Sequence, residues 1–332
     1  MRLGFFTRLL DQAPPGERYR LAVEQIRHAE RAGFDTAWVA QHHFDGEEGG
    51  LPAPLVFLSH VAAVTERIRL CTGIITLPLE DPVRVAEDTA VLDLLSGGRL
   101  EVGVAGGGTP SAFTAFGHDP ARRNEIYAEH LKILLDAWAG EDLGGGNRLY
   151  PAAPRLADRV WEATFSVSGG ARAGSAGHGL MLSRTQPRPD DNPHATLAEI
   201  QRPIVDAYLD NLPAGVEPRI VASRTAFVAD TRAEALRQAE IGLSRPAGAE
   251  QPQPDGGGVD QLIAAWDAHV GTPEDVVAGL GADPTLQRIT DLVFQVHSVD
   301  PPHPLILRSI ELLATEVAPA LGWAPSRELN NR

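Results

Sequence analysis

The stretch VAQHHFDGE, residues 39–47, sets two adjacent imidazoles, His42 and His43, between an apolar run and a group of acids. Imidazole titrates near neutral pH, so either ring could move a proton, hydrogen-bond a ligand or bind a metal. Neighbours on a strand point to opposite faces, so the two can share one pocket only if the chain has already turned. Metal binding would need further ligands, for which Asp45, Glu47 and His297 are available, but no HxH or HExxH spacing supports it. One of the pair is therefore expected to contact ligand or perform catalysis, with a structural pair and a metal pair as the alternatives. Four other places could do chemistry. Gly73, in CTGIITLPLEDP, either lets a flat ligand approach bare backbone or merely bends a strand. Gly106, Gly107 and Gly108 follow an apolar run but do not make a GxGxxG with a downstream acid. In FSVSGGARAGSAG, Ser168 precedes Gly169 and Gly170, whose amides at a helix start would bind a phosphate unless they only make a tight turn; Arg172 follows. Finally, Arg184 ends the run HGLMLSR, either as a cation for the same anion or as a solvated loop residue.

These positions share a context: each lies just past an apolar run. Short runs alternate with amphipathic stretches, beginning LGFFT, ERYRLAVEQIRHAERAG, FDTAWVA, LPAPLVFLSHVAAVTER, IRLCTGIITL, DPVRVAEDTAVLDLLSGG and RLEVGVAGG. In the first amphipathic stretch Leu21, Ile26 and Ala29 follow helical spacing and Gly33 supplies a stop. Later strands are expected at RVWEATFSV, GLMLS, RIVASRTAFVA and TDLVFQV, about eight in all. Repeated strand–helix units with right-handed crossovers leave a doubly wound sheet or a closed barrel, and eight strands favour the α/β class (β/α)8 TIM barrel. Its active face is built from the C-terminal strand ends, where the histidine pair falls. The 332 residues suit one barrel domain, with Pro- and Gly-rich insertions at residues 185–194 and 244–258 that could act as lids.

Forty-four acidic against 29 basic residues give a net charge of −15, which repels phosphate backbones and anionic bilayers and argues against a nucleic-acid partner. The lone cysteine, Cys71, excludes an internal disulfide and is expected in the core of a protein from a reducing compartment. No apolar run approaches the roughly 20 residues of a membrane span, and the N-terminus lacks the features of a secretory leader. A soluble, cytoplasmic protein is the expectation.

GFDTAWVAQHHF (residues 33–44), TERIRLCTGIITLPLEDPVRVAEDTAVLDLLSGGRLEVGVAGG (65–107), FGHDPARRNEIYAEHLKILLDAW (116–138) and GTPEDVV (271–277) together resemble the bacterial luciferase-like flavin monooxygenases, which share their barrel with deazaflavin-dependent oxidoreductases. The resemblance implies that His42 lies beside the flavin's reactive edge as general base or hydrogen-bond partner, with His43 in support. It implies a non-proline cis bond at Gly73-Ile74 under the flavin ring, and a phosphate held by Ser168, Gly169 and Gly170. Gly106 stands where luciferases carry an arginine, for which Arg184 or Arg172 could substitute. Phe6 completes the implied cofactor-binding set of Phe6, Gly73, Ile74, Gly106, Ser168, Gly169, Gly170 and Arg184. The function so implied is a monooxygenase that takes reduced FMN from a separate flavin reductase and uses O2 to oxidise a small organic substrate, as a homodimer without a metal. A deazaflavin-dependent hydride-transfer enzyme, a flavin-binding protein without catalysis and a metal-dependent barrel enzyme are the rivals.

Overall fold

The computed structural model describes residues 1–245 and 258–323. RLGFFT forms strand β1 (Arg2–Thr7), and α1 (Pro15–Ala32) carries the chain back along it. Proline begins α1 where no amide donor is needed, and Gly33, at φ 100°, ends it in the left-handed conformation that glycine adopts without a Cβ penalty. The inward stripe is Ala22, Gln25, Ile26 and Ala29. Leu21 is only half-buried, because that stripe passes through the next residue.

The pattern then repeats. Strand β2 (Thr36–Val39), α2 (Pro54–Ala63), β3 (Arg69–Thr72), the short β4 (Ile75–Thr76), α3 (Pro82–Leu95) and β5 (Leu100–Ala105) complete the first half. Helices α4 (Pro110–Ala115) and α5 (Arg123–Ala139) lead to β6 (Val160–Ala163), α6 (Val167–Ser175), β7 (Gly179–Leu182), α7 (Leu197–Asp210) and β8 (Ile220–Val228). After α8 (Arg232–Leu243) come α9 (Val259–Ala265), β9 (Ala268–Gly271), α10 (Pro273–Gly281), β10 (Asp291–Gln295) and α11 (His303–Leu312). The run RVWEATFSV, expected as one strand, is extended only to Ala163; Ser166 instead caps α6, its side chain accepting from the Gly169 amide. Of the insertion expected at 244–258, residues 246–257 lie outside the described residues.

Parallel pairing runs β1-β2-β3-β5-β6-β7-β8-β10, and β10 returns to β1 through Arg2 opposite Asp291 and Phe5 opposite Phe294. The eight strands thus close into a barrel ringed by helices, with β4 paired to the end of β5 and β9 to the far end of β8. Such strands are buried on both faces, which is why they read as nearly continuous apolar runs. Outward side chains such as Leu3, Phe5, Leu70, Leu100 and Phe294 meet the helices, while Trp38, Cys71, Trp161, Val221 and Val293 fill the interior, flanked by Phe6 and Met181. The Trp38 and Trp161 rings meet edge to face at 5.7 Å. At the N-terminal end a charged plug closes the barrel: Arg2 binds Glu101 at 2.9 Å and Asp291 at 2.6 Å, and Arg69 binds Glu101 at 2.6 Å. Active sites of such barrels lie at the opposite mouth, built from the C-terminal strand ends. Among the described residues no helix is long and apolar enough to cross a membrane.

Candidate active site

Strand β2 ends at Val39, and its neighbour β3 runs straight into Gly73, whose amide donates to the Val39 carbonyl at 2.8 Å. The Gly73-Ile74 peptide is cis, as the resemblance implied. A Cβ on Gly73 would stand 2.8 Å from Phe6 Cε2, so the absent side chain makes room for the Phe6 ring at the top of the interior. The next turn is fixed by Gln41. Its buried side chain accepts from the Thr76 amide at 2.7 Å and donates to Glu80 at 2.6 Å and to the Pro52 carbonyl at 3.1 Å.

Because β2 has ended, His42 and His43 are freed from strand alternation and take different surroundings. His42 Nδ1 faces Glu48 Oε1 at 3.4 Å, and Gly49 packs so closely that a Cβ there would lie 2.4 Å from the imidazole Cδ2. Burial pulls the His42 pKa below its ordinary value, partly opposed by Glu48. Contact with His42 and a 3.0 Å hydrogen bond from Thr109 hold the Glu48 carboxyl down at about 2. At neutral pH the pair is therefore a neutral imidazole beside a carboxylate. A proton on Nδ1 toward Glu48 leaves the Nε2 lone pair as a base or hydrogen-bond acceptor. His43 packs edge to face on Phe116 at 4.9 Å, with its Nε2 enclosed and unpartnered among the described residues. Among these residues there is also no group of three or more His, Cys, Asp or Glu able to hold a metal ion.

Two strands further round, β6 and β7 contribute the polar groups singled out in the sequence. Ser168 is exposed on the first turn of α6, and its Oγ lies 3.2 Å from Ser166 Oγ, which is in turn 3.3 Å from Thr164 Oγ1. Gly169 and Gly170 do not offer exposed amides: both residues are buried, the first amide donates to Ser166 Oγ and the second to the Ser166 carbonyl, each at 3.1 Å. Their small size serves packing instead, since a Cβ on Gly170 would strike the Ile204 carbonyl oxygen of α7 at 2.5 Å. What remains is a row of three hydroxyls on the positive end of a nine-residue helix, with the Val167 and Ser168 amides beyond the reach of intrahelical acceptors. Arg172, a possible substitute for an arginine at 106, is engaged by buried Glu162 at 2.9 Å and stacks on Tyr127. Gly106 itself has no atom nearer to a built Cβ than Asn124 Oδ1 at 3.7 Å, whereas Gly107, at φ 74°, would place a Cβ 2.4 Å from Thr76. Glycine is thus demanded at 107 and not at 106.

Arg184, two residues past β7, is 3% exposed, and its two terminal nitrogens have no hydrogen-bond partner among the described residues. Burial pulls its pKa down to about 9, which still leaves a cation at neutral pH. Arg8, just past β1, donates to the Glu48 carbonyl and repels Arg184. Arg8, Gln41, Glu48, Thr109 and Ser166 were not singled out from the sequence. Arg8 carried a signal there, an ionic residue directly following a strand; Glu48 and Thr109 carried none, being separated by 61 residues and joined only in space.

The sequence profile described as luciferase-like monooxygenase matches residues 1–282. Limonene 1,2-monooxygenase of Rhodococcus erythropolis is 27% identical over 315 residues, covering 90% of this chain and 80% of that one. The chain spans only about half the length of other curated relatives that it matches at 33–34% identity. Two crystal structures share the fold: monooxygenase RslO1 of Streptomyces bottropensis, with TM-score 0.79 and 24% identity over 97% of this chain and 100% of that one, and the oxygenating constituent of 3,6-diketocamphane monooxygenase of Pseudomonas putida in complex with FMN, with TM-score 0.74 and 18% identity over 96% and 98%.

Proposed function

The chain belongs to the luciferase-like monooxygenase family, and on that premise we propose that its barrel mouth binds reduced FMN and uses O2 to oxidise a small organic substrate. The observation that carries this reading is the conjunction, at one end of the barrel, of His42, its Nδ1 3.4 Å from the Glu48 carboxylate, with the hydroxyl row of Thr164, Ser166 and Ser168. The residues fit a flavin. Phe6 packs against Gly73 and closes the interior beneath the mouth, and the Thr164, Ser166 and Ser168 hydroxyls at the α6 terminus suit a phosphate dianion. When bound, the reduced flavin supplies the oxygen-activating chemistry. The chain's own part is to orient that ring, exclude water and manage a proton at His42 Nε2, with Glu48 holding the imidazole in register.

In this reading the protein is a single-domain cytoplasmic homodimer that receives reduced FMN from a separate flavin reductase, and buried Cys71 suits a reducing compartment. Anaerobic titration with reduced FMN, and in parallel with a reduced deazaflavin, tests the cofactor. Reduced FMN should bind at micromolar concentration and reoxidise more slowly on the protein than free in aerated buffer. Preference for the deazaflavin would replace this reading with hydride transfer. Replacing His42 by alanine should lower turnover by about 10²–10⁴-fold while leaving flavin affinity within a few-fold, the size of a general-base contribution. Unchanged turnover would remove His42 from the chemistry, and flavin binding with no oxidation of any substrate in either protein would favour a carrier.

A further inference from the structure

Arg184, Arg8 and Gln186 carry enclosed, unpartnered polar atoms in the segments after β7 and β1, away from the hydroxyl row that follows β6. We propose that Arg184, with Arg8 and Gln186, seats an oxyanion of the organic substrate, a carboxylate or ionised acidic hydroxyl, beneath the segment 185–194. This assignment rests on the reading of the mouth as the oxidation site, and it moves Arg184 from the cofactor phosphate to the substrate.

Four observations lead there. First, the terminal nitrogens of Arg184 are enclosed without an acceptor among the described residues, and at neutral pH the guanidinium keeps its charge. Second, the acids within electrostatic reach are already committed: Asp300 receives His297 Nδ1 at 2.7 Å, and Asp267 is paired with Arg188. Third, Arg8 repels Arg184, spends one nitrogen on a main-chain carbonyl and keeps its Nε enclosed and unpartnered. The Asp300 charge reaches both arginines, yet the enclosed nitrogens themselves lack an acceptor, which an oxyanion would supply. Fourth, Gln186 is 3% exposed, yet neither its Oε1 nor its Nε2 has a partner among the described residues, although buried amides are ordinarily bonded. Burial alternates along this segment, with Leu182, Arg184 and Gln186 inward and Thr185 and Pro187 outward, and the Arg188–Asp267 pair ties it down. The electrostatic neighbours of Arg184 are Arg8 after β1, Asp300 after β10 and Asp267 before β9, whereas the phosphate hydroxyls follow β6, so the two anion positions are served by different strands.

Thermal-shift titrations with acetate, benzoate and the uncharged analogue benzamide test this without turnover. The carboxylates should raise the melting temperature of the wild-type protein by a few degrees at concentrations where benzamide does not. Arg184→Met should abolish that difference, weakening carboxylate binding at least tenfold, while leaving the preference for FMN over riboflavin unchanged. Gln186→Leu should reduce the carboxylate response severalfold and serves alone if the Arg184 variant fails to fold. Equal responses to benzoate and benzamide in the wild-type protein would overturn the proposal. So would an Arg184→Met or Gln186→Leu protein that keeps the full carboxylate response, and so would loss of the FMN-over-riboflavin preference in Arg184→Met, which would assign the guanidinium to the phosphate. A carboxylate response in a protein that binds no flavin would refute the proposed function and leave the anion seat standing.

Discussion

His42 illustrates how a single side chain acquires a role from its surroundings. Burial disfavours its charged form, and the Glu48 carboxylate favours it, with the balance on the side of the neutral ring. Because Glu48 raises the pKa, its replacement by glutamine should let the His42 pKa fall further. A base works only when unprotonated, so the acid limb of kcat/KM against pH should move to lower pH in Glu48→Gln, with a reduced plateau as the imidazole loses its orienting partner. A limb that stays in place would show that another group titrates in turnover. Cys71, by contrast, has no such role available. It is fully buried in the barrel interior, and burial and the Glu101 charge push its thiol well above the ordinary range.

At the scale of elements, the glycines of GGARAG make α6 a helix that α7 can approach at backbone distance. A Cβ on Gly174 would lie 2.2 Å from the Tyr208 carbonyl oxygen, and one on Gly170 would lie 2.5 Å from that of Ile204. Neither acceptor can swing aside as a side-chain tip could. Gly174→Ala should therefore destabilise the protein by roughly 1–3 kcal/mol, the usual cost of overpacking, despite alanine's better helix propensity. Denaturant midpoints measure this; a more stable variant would show that α6 shifts freely against α7. The same close packing explains why glycine pairs that look like phosphate ligands in the sequence sit beneath the hydroxyl row and do not offer their own amides. Elsewhere an element end is written locally: GTPEDVV places Thr272 as the cap of α10, with Asp275 answering in a capping box.

Across the whole molecule, several buried histidines have depressed pKa values. His269 and His297 are brought down to about 4, chiefly by burial, and His42 and His43 are lowered in the same direction. In the unfolded chain these groups titrate near 6.5, so between roughly pH 6.5 and 4 the unfolded state binds more protons. Stability from this source is complete above pH 6.5 and declines as pH falls toward 4, by on the order of 1–3 kcal/mol for each of the two most depressed groups. Urea unfolding at pH 7.5, 5.5 and 4.5 should show this loss setting in by pH 5.5, before carboxylate protonation adds to it at the lowest pH. A flat profile above pH 4.5 would mean that these rings are hydrated in solution.

What the sequence determined by itself was the architecture and which chain segments meet at one mouth of the barrel. Strands buried on both faces must be apolar throughout, helices over them must be amphipathic, and a barrel places whatever follows each strand at one mouth, so the segments holding His42, Gly73 and Arg184 could be placed there from local pattern, while the choice of His42 over His43 came from the family resemblance. The cis peptide at Gly73-Ile74 was legible through family resemblance, as the sequence around it was distinctive. Only the tertiary structure decided the partners. Glu48 meeting Thr109, Gly170 meeting Ile204, and Arg8 repelling Arg184 join residues far apart in the chain. Hydrogen bonds and charge pairs between distant segments leave no periodicity in a sequence, because they depend on where closure of the barrel brings the loop ends and not on neighbours along the chain.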